Sequence, residues 1–255
     1  THAEVSDHEF GTRKVLQREL DSLNIPYELL EGTGIIATIQ GGKPGKHRLL
    51  RCDIDALPLQ EEKENLSGAK VCVSENDGAC HACGHDGHTA ALLGAAKYCA
   101  AHRDQLCGTI KFVFQPAEEG PAPGGAKYIV ESGVLDDVEF MIGGHQSTYA
   151  SVGQVLVKSG IACAGGHAFK LTLTGVGTHA ISPQDGSDVI STAMQIIDSW
   201  QSMLSRQIDP QQPVVLSVCS IHAGEMGATN VLPSTAVFSG TIRTFNDPLR
   251  ESILK

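Results

Sequence analysis

Hydrophobic positions along the chain change their period several times. Over residues 7–24, Phe10, Val15, Leu16, Leu20 and Leu23 recur close to helical spacing, which predicts an amphipathic helix. Two β-rich runs follow, at 34–39 and 48–54. The Ala- and Leu-rich stretch 87–101 predicts a helix with Asp86 near its N-terminus. A strand at 109–115, a short helix at 125–132 and strands at 138–142 and 154–158 come next. Strands alternating with helices imply an α/β domain with a largely parallel sheet.

Small residues cluster at 160–166 and suggest a hinge. Beyond it the pattern predicts a strand at 168–174, a helix at 187–206 and strands at 214–221 and 236–245, with Pro248 placed to open a second helix. That β-α-β-β-α order is a split βαβ unit without its final strand. Two domains are therefore expected, residues 1–162 and residues 163–255, the second of them incomplete and the chain truncated at its C-terminus.

Composition narrows the function classes. The 255 residues are 41% hydrophobic, which suits a globular chain with a full core. No window approaches the roughly 20 apolar residues of a membrane span, so no membrane partner is expected. The opening THAEVSDHEF has no basic stretch followed by an apolar one, so no signal peptide is expected, and it lacks an initiator Met. A formal charge of −10 argues against nucleic acid as the main partner and favours a small substrate. Eight scattered cysteines without an export signal predict mostly buried, reduced thiols and a cytoplasmic location. Cys80 and Cys83 form a lone CxxC, weak evidence for a closed zinc site.

Four polar clusters stand at the end of an apolar strand or the start of a helix. Asp53 and Asp55 lie in RCDIDALP, and Cys83, His85, Asp86 and His88 lie in HACGHDGH. Glu118 and Glu119 follow a strand in FQPAEEG, and His145 follows another in MIGGHQ. Ligands of parallel α/β sheets bind outside the carboxyl ends of the strands, so clusters placed this way converge on one pocket. Zn and Mn take imidazole and carboxylate, and the softer ion also takes thiolate. Cys83, His85, Glu119 and His145 supply all three. A cysteine beside an ion is held as thiolate, and a helix start favours that form further. The adjacent Glu118 and Glu119 allow one carboxylate to ligate while its neighbour takes a proton from water. Each cluster alone has a plainer reading. HACGHDGH can be a capped helix start with satisfied histidines, Glu118-Glu119 a solvated turn, His145 a structural histidine, and Asp53 and Asp55 turn residues before Pro58. Their joint order favours a site.

These segments resemble the aminoacylase and carboxypeptidase-G-type zinc-peptidase family, on its amidohydrolase branch of hippurate hydrolases and indoleacetyl-amino-acid hydrolases. The similarity rests on DIDALPLQE, HACGHDGHTA, FQPAEEG, the His of GGHQ, GVGTHAISP and NVLPSTAVFSGTIR, which span nearly the whole chain. It implies a metallopeptidase-type α/β catalytic domain with an inserted ferredoxin-like lid used for dimerisation, hence a homodimer. It also implies a two-metal centre of Zn or Mn ligated by Cys83, His85, Glu119 and His145, with Glu118 as general base. Asp53 would orient a ligand from behind. In the lid, His179 would stabilise an oxyanion, and Asn230 and Arg243 would hold a substrate carboxylate. The implied reaction is hydrolysis of the amide of an N-acyl-amino acid or small peptide by metal-activated water. The family's further metal-binding histidine, in a C-terminal part of the catalytic domain beyond the lid, has no counterpart, and His222 is not assigned that role. Cys80 replaces a usual apolar residue, and Gln146 and Gln184 also depart from the pattern, which bears on specificity. Two other classes remain open: a metal-binding or scaffolding protein of the same fold without turnover, and a redox protein using Cys80 and Cys83.

Overall fold

The computed structural model of the chain describes residues 1–121 and 124–254; Lys255, the last residue of the expected second domain, lies outside them. The chain divides into two compact units, Thr1–Val152 and Gly153–Lys255. In the first, the order is α1 (Phe10–Ser22), β1 (Tyr27–Leu29), β2 (Ile35–Gln40), β3 (Lys43–Asp53), the two-residue strands β4 (Glu64–Asn65) and β5 (Gly68–Ala69), α2 (His85–Ala101), β6 (Cys107–Gln115), α3 (Ala126–Glu131) and β7 (Phe140–Gly143).

Five of these strands form one sheet in the order β1-β2-β6-β3-β7. Its β6–β3 and β3–β7 pairs are parallel, whereas β1–β2 and β2–β6 are antiparallel. The expected largely parallel sheet is thus a mixed one. The reason lies in the Gly41-Gly42 connection. It hugs the backbone at the start of β6 so closely that a Cβ on Gly41 would stand 2.6 Å from the Leu106 carbonyl oxygen. The chain crosses that end of β6, which inserts between β2 and β3. Hydrophobic period alone does not encode such a pairing.

Alternating residues of the central strands feed two cores. On one face Leu16 and Leu20 of α1 and Leu92 and Ala96 of α2 pack on Ile35, Ala37, Ile39, Phe112 and Phe114. On the other, Ile36, Leu49 and Val113 meet Ile129 of α3. Strands β2 and β6, covered on both sides, read accordingly as near-continuous apolar runs. Helix α1 is narrower in its apolar face than the sequence suggests: Leu16 and Leu20 are buried, but Phe10 and Val15 are exposed. Cysteines also differ from expectation. All eight are unpaired, yet Cys72, Cys107, Cys163 and Cys219 are exposed, because they lie in loops or at strand positions facing solvent.

The second unit holds β8 (Gly165–Thr174), β9 (Thr178–His179), α4 (Val189–Arg206), β10 (Val214–Ala223), β11 (Val231–Leu232), β12 (Thr235–Thr244) and α5 (Asp247–Ile253). Strand β12 lies between β10 and β8, antiparallel to both, so β8-α4-β10 is the split βαβ unit that the sequence predicts. Asp188 caps α4 by accepting from the Ile190 and Ser191 amides, and Pro248 sits in the first turn of α5. Val189, Ala193, Ala236 and Phe238 form the core beneath Trp200. Two expectations fail here. Gly165 and Gly166, read as part of a hinge, are the first residues of β8. Residues 154–158 form no strand: Val155, Leu156 and Val157 are exposed and belong to no sheet among the described residues. Among the described residues, no helix is long and apolar enough to cross a membrane.

Leu20→Ala is expected to destabilise the first unit by about 2–5 kcal/mol, because it opens a cavity between α1 and the sheet. Val15→Ala, on the exposed face, is expected to change stability by about 0.5 kcal/mol or less. Urea unfolding of the two variants checks the contrast.

Candidate metal centre

The three parallel strands of the first unit end side by side. Asp53, the last residue of β3, is in register with Gln115, the last of β6, and Arg51 with Gly143, the last of β7. The segments that continue from these ends carry Asp55, Glu118-Glu119 and His145. Helix α2 begins at His85, after Gly84 at a φ of +84°. That left-handed glycine turns the chain so that Cys83 and His85 flank the helix start, with the Gln146 side chain against it.

His85 is the hub. It is fully buried, and its Nδ1 lies 3.2 Å from Asp55 Oδ1. Its Nε2 is buried without a hydrogen-bond partner and stands 3.8 Å from Asp53 Oδ2, 3.9 Å from Glu118 Oε2 and 3.9 Å from Glu119 Oε1. Cys83 Sγ is 3.3 Å from His145 Nε2. The other nitrogen of His145, Nδ1, donates to the Gln146 carbonyl at 2.6 Å, which leaves the Nε2 lone pair turned toward the thiol. His85 shares donor clusters with Cys83 and His145, with Glu118 and Glu119, and with Asp53 and His88.

His88 stands apart from this set. Its Nε2 accepts from the Gln146 amide at 2.8 Å and its Nδ1 donates to Asp53 Oδ1 at 2.5 Å, so both nitrogens are satisfied. Arg51 braces the same carboxylate, Nη1 to Asp53 Oδ2 at 2.8 Å, while its Nε donates to Gln115 Oε1 at 2.9 Å. Asp55 joins His85 to the loop after β6: its Oδ2 accepts from the Glu119 amide at 2.8 Å and from the Ser6 hydroxyl at 2.6 Å. The contact that orients His85 through Nδ1 therefore comes from Asp55, while Asp53 faces Nε2. The two-residue spacing of Asp-Ile-Asp at a strand end was the available signal for both carboxylates pointing into one site.

Charge in this pocket is unbalanced. Asp53, Asp55, Glu118 and Glu119 surround one imidazole. Burial works to raise the Asp55 pKa, but hydrogen bonds from His85, Ser6 and the Glu119 amide outweigh it and hold Asp55 at about 2. Burial acts on Asp53 in the same direction and is outweighed by His88 and Arg51, so its pKa is lowered. Glu118 is pushed up, first by burial and then by the charges of Glu119 and Asp53. Burial, then Glu119 and Glu118, raise the Cys83 thiol to about 11. The dipole at the start of α2 does not overcome these negative neighbours. A divalent ion reverses that balance, since a coordinated thiol is deprotonated outright.

The residues present fit such an ion. Imidazole, thiolate and carboxylate are the donor types of Zn and Mn sites. Metal–donor bonds of about 2.0–2.3 Å in a tetrahedron put neighbouring donors about 3.3–3.8 Å apart, and the spacings around His85 Nε2 and Cys83 Sγ fall at 3.3–3.9 Å. The unpartnered Nε2, with its other nitrogen fixed by a carboxylate, is the arrangement of a metal-ligating histidine.

In the second unit, His179 and Asn230 come together. Strand β9 pairs with β11, and Asn230 Nδ2 lies 3.4 Å from His179 Nε2, while His179 Nδ1 accepts from the Ile181 amide at 3.2 Å. Arg243 is exposed on β12, its guanidinium lying over Gly166. Among the described residues no hydrogen bond or ion pair joins Arg243 to His179 or Asn230.

Known proteins place this architecture. The family model described as Peptidase family M20/M25/M40 matches residues 49–244, and the chain belongs to that family. It is 38% identical over 253 residues to an N-acyl-L-amino acid amidohydrolase of Geobacillus stearothermophilus, covering 99% of this chain and 66% of that protein. It is 40% identical over 241 residues to the IAA-amino acid hydrolase ILR1-like 5 of Arabidopsis thaliana, covering 94% of this chain and 53% of that one. The crystal structure of the Bacillus subtilis YXEP protein, described as a dinuclear metal binding peptidase from the M20 family, superposes with a TM-score of 0.76 at 35% identity, over 99% of this chain and 63% of that one. The chain thus spans between about half and two thirds of the length of these relatives.

Asp55→Asn is expected to weaken divalent-ion binding about 10–100-fold, because the side chain that fixes His85 and the Glu119 amide loses an acceptor. Calorimetric titration with Zn²⁺ measures this, and an unchanged affinity would remove Asp55 from the site.

Proposed function

We propose that this chain carries the catalytic centre of a metal-dependent amidohydrolase that cleaves the amide bond of N-acyl-amino acids or small peptide-like amides. One observation carries the reading: His85, wholly buried, is held by Asp55 through one nitrogen and turns its unpartnered other nitrogen toward three carboxylates. The names of the amidohydrolase relative and the dinuclear structural neighbour support it.

Cys83, His85, Glu119 and His145 would hold two divalent ions, Zn or Mn, with the thiolate favouring the softer one. Such ions supply Lewis acidity, which makes a water easier to deprotonate and an amide carbonyl more electrophilic. Glu118 is assigned the proton transfers. It takes a proton from the attacking water as the new C–O bond forms, and delivers it to the leaving nitrogen as the C–N bond breaks. Its carboxylate stands 3.9 Å from His85 Nε2, at the edge of the ligand set, within reach of a water held there. Asp55 keeps the His85 ring in place, while Asp53, braced by Arg51 and His88, faces its Nε2.

Residues 1–162 are assigned to the catalytic domain and 163–255 to a lid and dimerisation domain, the protein acting as a homodimer. His179, whose Nδ1 accepts from the Ile181 amide and whose Nε2 therefore carries the proton, is assigned as an oxyanion donor. Asn230 and Arg243 are assigned to the carboxylate of the amino-acid moiety, a role suited to the guanidinium fork.

Glu118→Gln is expected to lower turnover of N-acyl-amino acids about 10²–10⁴-fold while leaving the bound metal content unchanged. Steady-state kinetics with metal analysis checks both. Near-normal turnover would overturn the role of Glu118, and bound metal without hydrolysis of any acyl-amino acid by the unaltered protein would favour a metal-binding protein of this fold.

A further inference from the structure

Glu9 is completely buried and takes no part in the chemistry assigned above. It stands at the N-cap of α1, yet its side chain accepts nothing from that helix. Glu4 does so instead, accepting from the Gly11 and Thr12 amides at 2.8 and 2.7 Å. The Glu9 carboxylate points elsewhere: Oε2 accepts from the Thr33 hydroxyl at 2.5 Å and Oε1 from the Ala117 amide at 2.9 Å. Ala117 is itself buried, with a φ of +47°, a left-handed backbone that alanine rarely adopts. The next two residues are Glu118 and Glu119.

We propose that Glu9 is a positioning residue that locks Ala117 in its left-handed conformation and so aims Glu118 and Glu119 into the metal centre. Glu9 holds the Ala117 amide and Asp55 the Glu119 amide, while the Ala117 carbonyl accepts from the Gly125 amide at 3.1 Å. Without the Glu9 acceptor, a buried donor is left unsatisfied, and the backbone relaxes out of the left-handed region. A rotation at Ala117 swings both following side chains relative to His85. What Glu9 supplies is an acceptor rather than a charge. A glutamine there would offer its carbonyl to the Ala117 amide and its NH₂ to the Thr33 hydroxyl, which can accept as well as donate. This inference rests on the reading of Glu118 and Glu119 as the working carboxylates.

The test compares Glu9→Met, which keeps length but removes the acceptor, with Glu9→Gln. In the metal-free chain, Glu9→Met is expected to speed hydrogen exchange at the Ala117 amide at least tenfold relative to the amide of Leu20, while Glu9→Gln stays within about threefold of the unaltered chain. Zn²⁺ affinity by calorimetry is expected to follow the same order, at a temperature where both variants are folded. Unchanged exchange at Ala117 in Glu9→Met, or equal losses in both variants, would overturn the proposal. Should Glu9→Met not fold, Thr33→Val removes one anchor of the carboxylate and is expected to speed Ala117 exchange about threefold; no change there would equally overturn it. Exchange is read without metal. Failure of the metal-centre reading would instead appear as no Zn²⁺ binding by the unaltered chain.

Discussion

Asp55 ties together three parts of the first unit that are distant in sequence: the Ser6 hydroxyl, the His85 ring and the Glu119 amide all meet its two oxygens. A carboxylate so thoroughly hydrogen-bonded stays ionised although it is buried, because its donors outweigh the cost of desolvation. That one ionised group fixes which face of the imidazole looks into the pocket. It also ties the loop after β6 to the end of β3 through the Glu119 amide. With His85 Nδ1 engaged, Nε2 has nowhere to turn but toward Asp53, Glu118 and Glu119. Four carboxylates around a single buried ring make an arrangement that a cation completes.

The sheet makes this meeting possible. Parallel pairing of β3 with β6 and β7 brings three strand ends to the same edge, and the start of α2 supplies the fourth wall. Antiparallel β1 and β2 extend the sheet on the side of β6 away from β3, where they build core rather than site. Strain is placed with similar economy. Gly84 takes a left-handed backbone at no steric cost, whereas Ala117 takes one at a position where Glu9 and Asp55 hold the loop on either side.

Much of this was legible in the residues. Strand-end positions of Asp53, Glu118 and His145 follow from alternating apolar runs that stop at polar clusters, and the split βαβ order follows from period changes after 165. What escaped was non-local. Insertion of β6 between β2 and β3 depends on a backbone crossing at Gly41-Gly42, which leaves no mark on hydrophobic period. The apolar run 154–158 carries a strand's composition but belongs to no sheet among the described residues. The division of work between Asp53 and Asp55 depends on which oxygen meets which ring nitrogen, and the buried role of Glu9 on a hydrogen bond spanning 108 residues.

The central claim, that the His85 cluster is a metal centre, is tested most directly by anomalous X-ray scattering from crystals grown with Zn²⁺, recorded on either side of the zinc absorption edge. The expected result is an anomalous peak about 2.0–2.1 Å from His85 Nε2, the zinc–imidazole bond length, with Glu119 also within bonding distance and a second donor set at Cys83 and His145. Zinc bound elsewhere on the protein, with no peak beside His85 Nε2, would contradict it.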